Sequence, residues 1–304
     1  NYGDIDTLIY EDVPMPEPGP TDVRVRVHAA AVNPVDWKIR AGYLASMIQY
    51  EMPLTLGWDV SGVVEQVGAE VAHLSVGDEV YSRPDIARAG SYAEYVVVRA
   101  TELAAKPKTL SHNEAAAVPL AGLTAWQALF EHAQLKKGER VLIHAGAGGV
   151  GSFAVQFAKW AGAHVIATAS ATNEALVRDL GADEFVDYRS QQFEEVLDKV
   201  DVVLDTIGGD TQARSIQLLN SGGRLFSVVA TPDEASLAAV GATGGTFMVQ
   251  PNSENLGRIA KLIDDGTVLV LIDSVFPLSE ARAAHTKSQT GRAKGKIVLE
   301  VVQA

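Results

Sequence analysis

Arg140-Val-Leu-Ile-His-Ala-Gly-Ala-Gly-Gly-Val-Gly151 is the stretch that decides the fold. Its first residues, Arg140 to His144, are a short apolar run of the kind that forms a buried strand. Gly146, Gly148 and Gly151 then fill the three glycine places of G-x-G-x-x-G, with Gly149 and Val150 between the last two. The first glycine permits a tight turn, the second lets backbone approach a pyrophosphate, and the third lets helix pack closely on strand. Beyond it, Val150, Phe153, Ala154, Phe157, Ala158 and Ala161 recur at helical spacing, which predicts a helix lying on a sheet. The free amides at its start would face phosphates. An ordinary glycine-rich turn, or the related loop of a methyltransferase, shares the pattern. The strand before it and the helix after it favour a nicotinamide or flavin dinucleotide.

Working outward, strand candidates follow at 141–143, 164–168, 184–187, 201–205, 224–229 and 247–250, with helical stretches between most of them. Such alternation predicts a parallel sheet covered on both faces, because parallel neighbours need crossovers. The connection over 230–245 is the least legible. Before Pro107 the chain reads instead as strands punctuated by proline and glycine, with little helical periodicity. Val23-Arg-Val-Arg-Val-His28 alternates cleanly, and shorter alternations at 62–67, 78–81 and 93–98 suggest a small, partly closed antiparallel β domain. From about Val268 the β pattern returns: a strand over 269–273, a helix over 279–287 and a closing strand over 296–301 that rejoins the first domain. Two domains meeting over a cleft are expected.

Composition narrows the function classes. With 25 basic and 38 acidic residues among 304, the net charge of −13 disfavours nucleic acid and anionic membrane surfaces as partners. Cysteine is absent, which removes disulfides, thiol nucleophiles, iron–sulfur clusters and cysteine-ligated zinc. No apolar run is long enough to span a bilayer, and the polar opening Asn1-Tyr-Gly-Asp-Ile-Asp lacks a signal-peptide pattern, so a cytoplasmic location is expected.

The ordered stretches Ala29-Ala-Ala-Val-Asn-Pro-Val-Asp36, Gly57-Trp-Asp-Val-Ser-Gly-Val-Val-Glu-Gln-Val-Gly68, Val76-Gly-Asp-Glu-Val80, Ala121-Gly-Leu-Thr-Ala-Trp-Gln-Ala-Leu129, the glycine turn, Leu180-Gly-Ala-Asp183 and Lys294-Gly-Lys-Ile-Val-Leu299 carry a resemblance that spans essentially the whole chain. It resembles the medium-chain dehydrogenase/reductase superfamily, in the zinc-independent quinone oxidoreductase and zeta-crystallin-like group. That resemblance implies an α/β protein in which a Rossmann dinucleotide-binding domain, 113–267, is inserted into a GroES-like, mainly β catalytic domain, 1–112 plus 268–304. The zinc-using branch carries Gly-His-Glu where this chain has Gly57-Trp58-Asp59, and Trp58 cannot ligate a metal. That branch's catalytic cysteine and four-cysteine lobe are missing too, so no metal site is expected.

NAD-preferring sites place an Asp or Glu about 20 residues beyond the glycines to hold the ribose 2′-hydroxyl. Here that strand ends Ala167-Thr-Ala-Ser170, and a serine does not repel a 2′-phosphate. By resemblance, Asn173, Tyr188 and Arg292 fall where 2′-phosphate ligands are expected, Asn173 standing where a lysine is common. NADPH is therefore the expected cofactor. Family positions further place Thr124 near the nicotinamide-side phosphate or amide, Gly148 to Val150 beneath the pyrophosphate and Thr206 to Gly208 near the adenosine or ribose edge. Val229, Phe247 and Val249 would line the nicotinamide end.

Without metal, cysteine or a flavin motif, the remaining chemistry is hydride transfer from a nicotinamide to an acceptor that takes it readily, a quinone or an α,β-unsaturated carbonyl. The product anion needs hydrogen bonds and a proton, not a strong acid. Asn33, in the Asn-Pro-x-Asp turn, is the first candidate for a substrate-facing donor, and Lys38 and Tyr43 follow on the same segment. Asp36 and Asp59 read as buried hydrogen-bonding groups, and His144 as packing beside the glycine turn. Enoyl-thioester reduction, or a low-turnover NADPH-binding sensor or structural protein, are the competing readings. A homodimer formed through an edge strand near Phe247 is implied by the resemblance.

Overall fold

The computed structural model describes residues 1–302. Thirteen strands run in chain order: β1 Asp22–Val32, β2 Val60–Val67, β3 Glu79–Ser82, β4 Tyr95–Arg99, β5 Leu103–Ala105, β6 Arg140–Ile143, β7 His164–Ala169, β8 Glu184–Asp187, β9 Val200–Asp205, β10 Leu219–Ser227, β11 Thr243–Thr246, β12 Ile272–Pro277 and β13 Lys296–Glu300. They fall into two compact units, Asn1–Leu123 with Gln250–Gly266 and the residues from Val270 onward, and Thr124–Val249 with Thr267–Leu269.

In the first unit a seven-stranded sheet has the order β12-β13-β1-β2-β3-β5, with β4 also paired to β1. The valines of Val23-Arg-Val-Arg-Val27 all point inward, where they meet Val60, Val64, Val80, Val96 and Val98. Past His28 the alternation stops, and Ala29 to Val32 are all buried. Both faces are covered there: Ala29 and Ala31 pack on Ala116 and Ala117 of the short helix His112–Ala116 and its cap, while Ala30 and Val32 pack on Ala284, Ile297 and Leu299. Small side chains let that half of β1 be buried on two sides.

Three features of this unit differ from the sequence reading. Pro34–Arg40 is a helix, where only a turn was expected; Pro34 sits at its first position, suited to the fixed proline φ, and Asp36 accepts from the Asn33 amide at 2.7 Å. The strand expected over 269–273 forms over Ile272–Pro277, parallel to β13, with Leu269 left 58% exposed. The helical residues 113–123 and the helix Ser253–Asp264 belong to this unit, not to the dinucleotide unit expected over 113–267. The hydrogen bonds give the reason: Leu120 N donates to Asp59 at 2.6 Å, Tyr81 Oη to Leu256 O at 2.6 Å, and Thr109 Oγ1 to Asp264 at 2.9 Å.

The second unit is a six-stranded, wholly parallel sheet in the order β11-β10-β9-β6-β7-β8. Counted from β6, this is the doubly wound order whose direction of growth reverses between the first and fourth strands, so a crevice opens at their carboxyl ends. Leu142, Ile166, Val203 and Leu225 fill one face of the sheet. The helix Gly149–Trp160 buries Phe153, Ala154, Phe157 and Ala158, as its spacing predicts. The last strand is Thr243–Thr246, not 247–250. A Cβ on Gly244 would stand 2.1 Å from Leu225 O, so this strand lies against β10 where glycine is required. The apolar Phe247 instead stacks on His132, ring centroids 4.3 Å apart.

Candidate active site

In the parallel unit the glycine turn follows β6 directly. Ala145 takes φ +52°, a left-handed conformation uncommon for a residue with a Cβ, and Gly146 N donates to Thr168 O at 2.9 Å. A Cβ on Gly151 would come within 2.1 Å of Ala145 O, and one on Gly146 within 2.9 Å of Ala167 Cβ. These two glycines are therefore needed for the chain to pack on itself. Gly148 differs: its φ of −81° and ψ of 178° suit any residue, and a Cβ there would stand 3.2 Å from its nearest neighbour. Gly148 caps the twelve-residue helix Gly149–Trp160 with no side-chain hydrogen bond, so the amides of Gly149, Val150 and Gly151 lack both an intrahelical acceptor and a side-chain cap. A cradle of open amides at the positive end of a helix dipole fits a pyrophosphate.

Several of the other residues expected to contact the cofactor follow the carboxyl ends of strands in this unit. Ser170 follows β7, its Oγ 3.1 Å from Thr172 Oγ1 and accepting from Asn173 Nδ2 at 3.3 Å; Asn173 Oδ1 is buried without a partner. Tyr188 follows β8, 57% exposed. Thr206 donates through Oγ1 to His144 O at 3.0 Å, which ties the end of β9 to the glycine turn. The turn after Thr206 is built by Asp205, a residue the sequence reading missed. Its carboxylate accepts from the amides of Ile207 and Gly208 and from Gln212 and Ser227, all at 2.8–2.9 Å. Val229 is exposed at the end of β10 and lies beside Gly208. Phe247 and Val249 follow β11 as half-buried residues, and Thr124 is buried. Arg292 belongs to the other unit, exposed after the helix Ala281–Gln289.

His144 is 1% exposed between Thr168 Oγ1 at 3.1 Å and Ser215 Oγ at 2.8 Å. Burial pushes its pKa down to about 4, with Asp205 opposing and Arg214 assisting the shift. The folded chain thus holds a neutral imidazole that the unfolded chain would protonate near pH 6.5. A folded pKa below the unfolded one means stability is complete above about 6.5 and is lost as pH falls towards 4. His144→Gln should flatten unfolding free energy against pH in that window by up to about 1 kcal/mol per pH unit. An unchanged slope in the variant would refute the assignment.

In the β unit the expected donor Asn33 turns inward. It is 2% exposed, and both ends of its amide are taken: Nδ2 donates to Asp59 at 2.8 Å, and Oδ1 accepts from Lys296 Nζ. Lys296 also donates to Asp59 at 2.9 Å. Asn33 is thus a positioning residue rather than a substrate-facing donor. Burial raises the Asp59 carboxyl, against the opposing pull of Lys296, Asn33 and the Leu120 amide. Asp36 is pushed up to about 7 by burial, although the Asn33 backbone N–H and the Tyr92 hydroxyl both donate to its Oδ2 at 2.7 Å. Lys296 and Tyr92 escaped the sequence reading because each binds a residue far away in the chain; the motif Lys294-Gly-Lys296 was the available signal.

Lys38 and Tyr43 remain accessible. Lys38 Nζ lies 5.7 Å from the Trp37 ring centre, and the 68% exposed Tyr43 packs edge-on against Trp37 at 6.3 Å. Trp37 Nε1 is buried without an acceptor. Trp58 is fully buried, its Nε1 donating to Arg88 O at 3.2 Å. Among the described residues no group of three or more His, Asp or Glu could hold a metal ion.

Residues 19–108 match the model of the alcohol dehydrogenase GroES-like domain, and residues 180–299 that of the zinc-binding dehydrogenases. The NAD(P)H oxidoreductase RTN4IP1, mitochondrial, of Danio rerio is 36% identical over 327 residues, covering 93% of this chain and 84% of its own. The 2-methylene-furan-3-one reductase of Solanum lycopersicum is 38% identical over 315 residues, covering 99% and 78%. The Escherichia coli quinone oxidoreductase solved in complex with NADPH superposes with a TM-score of 0.90 at 28% identity, covering 99% of this chain and 98% of that one.

Proposed function

Because the chain belongs to the medium-chain dehydrogenase/reductase superfamily, in its quinone oxidoreductase group, we propose that it is an NADPH-dependent reductase of quinones or α,β-unsaturated carbonyls. The observation that carries the proposal is the pairing, in one unit, of open helix-start amides at Gly149 to Gly151 with a β7 that is followed directly by Ser170 and not by a carboxylate. The amides supply donors for a pyrophosphate, and the serine leaves room for a 2′-phosphate without repulsion. NADPH, when bound, supplies a hydride. Gly148 to Gly151, Ser170, Asn173, Tyr188 and Thr206 would hold it, with Thr124, Val229, Phe247, Val249 and Arg292 as further proposed contacts.

On the acceptor side the residues proposed to act are Lys38 and Tyr43, whose polar ends are accessible. Either can donate a hydrogen bond to the carbonyl oxygen that becomes an enolate or quinol oxygen, and either can deliver the final proton. Asn33 supports them indirectly, since its backbone N–H donates to Asp36 at the start of the Pro34–Arg40 helix that carries Lys38.

The deciding experiment follows NADPH absorbance with a panel of quinones, alkenals and cyclic enones. Turnover on quinones or enones, with NADPH favoured over NADH, is the expected result. Absence of turnover on every acceptor would refute the activity, and equal use of NADH would refute the cofactor preference. A homodimer is part of the proposal, supported by β11, which among the described residues pairs with β10 alone; sedimentation of the purified chain checks it. A cytoplasmic location is likewise proposed. The mitochondrial address of the Danio rerio relative is the competing outcome when the tagged full-length protein is imaged.

A further inference from the structure

We propose that Arg189, which neither the glycine motif nor the family positions single out, is a cation that reads the 2′-phosphate from the strand-end side, in addition to the Arg292 proposed above, and so helps set the cofactor preference of that site. The inference rests on that NADPH reading. Its ground is a charge inventory at the carboxyl ends of β7 and β8.

These two strands are parallel neighbours in the register Ala169 to Asp187, and Tyr188 N donates to Ala169 O at 3.2 Å. One carboxylate oxygen then joins the segments that follow: Asp187 Oδ1 accepts from Ala171 N and from Arg189 N, each at 3.2 Å. The turn Ser170 to Asn173 and the start of the β8 exit loop are thereby fixed side by side. Ser170 brings a hydroxyl, and Asn173 a buried carbonyl oxygen with no partner. Neither brings positive charge.

The first charged residues at or after the carboxyl ends of β7 and β8 are Glu174, Arg178, Asp187 and Arg189. Glu174 and Arg178 are spent on each other at 2.9 Å. Asp187 is held below the ordinary carboxylate range by the Ser190 hydroxyl, by the backbone amides of Arg189 and Ala171 and, more weakly, by the charge of Arg189, so it is ionised at neutral pH. A phosphate arriving at Ser170 meets that negative charge and needs a cation beside it. Arg189 is exposed, and its guanidinium makes no ion pair or hydrogen bond among the described residues, although its charge acts on Asp187 at longer range; its Cζ lies 5.8 Å from the Tyr188 ring centre. A planar guanidinium lodged near an aromatic ring is already partly ordered, and its fork matches two phosphate oxygens.

The test uses the full chain and two small probes in calorimetric titrations: adenosine 2′,5′-bisphosphate, which carries the 2′-phosphate, and adenosine 5′-monophosphate, which does not. Arg189→Ala should weaken the first about tenfold and leave the second unchanged, while raising the KM for NADPH without lowering kcat. Arg189→Lys should keep part of the binding. Parallel losses for both probes, or no loss for either, would overturn the assignment. A wild-type chain that does not distinguish the probes overturns the NADPH reading along with it. A wild-type chain that distinguishes them, with an Arg189→Ala variant that distinguishes them equally well, overturns the arginine alone.

Discussion

Lys296→Met is expected to cost the chain about 3–5 kcal/mol of unfolding free energy, the usual consequence of removing one partner from a buried ion pair. Lys296 is 4% exposed and Asp59 fully buried, so water cannot replace the lost ammonium. The lysine donates to three acceptors at once, Val32 O at 3.3 Å, Asp59 at 2.9 Å and Asn33 Oδ1, and all three lose it together. Asp59 must then either keep an uncompensated charge or take up a proton, and burial already biases it towards the proton. Asn33 loses the partner that fixes its amide, and with it one restraint on the helix that carries Lys38. The double variant with Asp59→Asn should recover part of the loss, because the remaining buried group is neutral and can still accept from the Leu120 amide. Denaturant unfolding of the three chains measures this directly. A loss below about 1 kcal/mol for the single variant would show that the pair contributes no more than a surface contact.

The same cluster shows where local reading of this chain stops. Val23 to Val27 could be read as a half-buried strand because the alternation that makes it one lies in five consecutive residues. The glycine turn could be read because strand, turn and helix are contiguous, and the steric need for Gly146 and Gly151 comes from Ala145 and Ala167, one of them adjacent and one on the neighbouring strand. Asn33 could not be read correctly, since the residues that turn it inward lie 26 and 263 positions away. β11 was misplaced for a different reason. Its Thr243-Gly-Gly-Thr246 lacks the apolar, branched side chains that announce a strand, because closeness to β10 selects glycine over β propensity. Leu269 to Leu271 misled in the opposite sense, apolar in sequence yet preceding the strand they seemed to form. The helix Ser253–Asp264 was assigned with the wrong unit because its tie to β3, the Tyr81 hydroxyl on Leu256 O, spans 175 residues.

The contrast between Gly148 and Gly151 gives the strongest test of the dinucleotide site, because the two glycines are required for different reasons. At Gly151 a methyl group would meet Ala145 O at 2.1 Å, a backbone atom already held in a left-handed turn, so Gly151→Ala must displace the turn or the helix. Overpacking of that kind costs about 1–3 kcal/mol, and it should lower both unfolding free energy and NADPH affinity. At Gly148 the folded chain demands far less: φ of −81° and ψ of 178° suit any residue, and a new methyl would stand 3.2 Å from Ala145 O, a tight contact that a shift of a few tenths of an ångström relieves. Gly148→Ala should therefore fold with nearly wild-type stability. If the open amides at Gly149 to Gly151 receive a pyrophosphate, the added methyl stands where backbone and phosphate must approach, and charge-assisted hydrogen bonds lengthen or break. Losing one or two of them should weaken NADPH about ten- to a hundredfold. Fluorescence titration with NADPH, run beside denaturant unfolding of each variant, separates the two effects. Should Gly148→Ala bind NADPH as tightly as the unaltered chain, the amides at the start of this helix do not face the pyrophosphate, and the cofactor must be held by some other part of the unit.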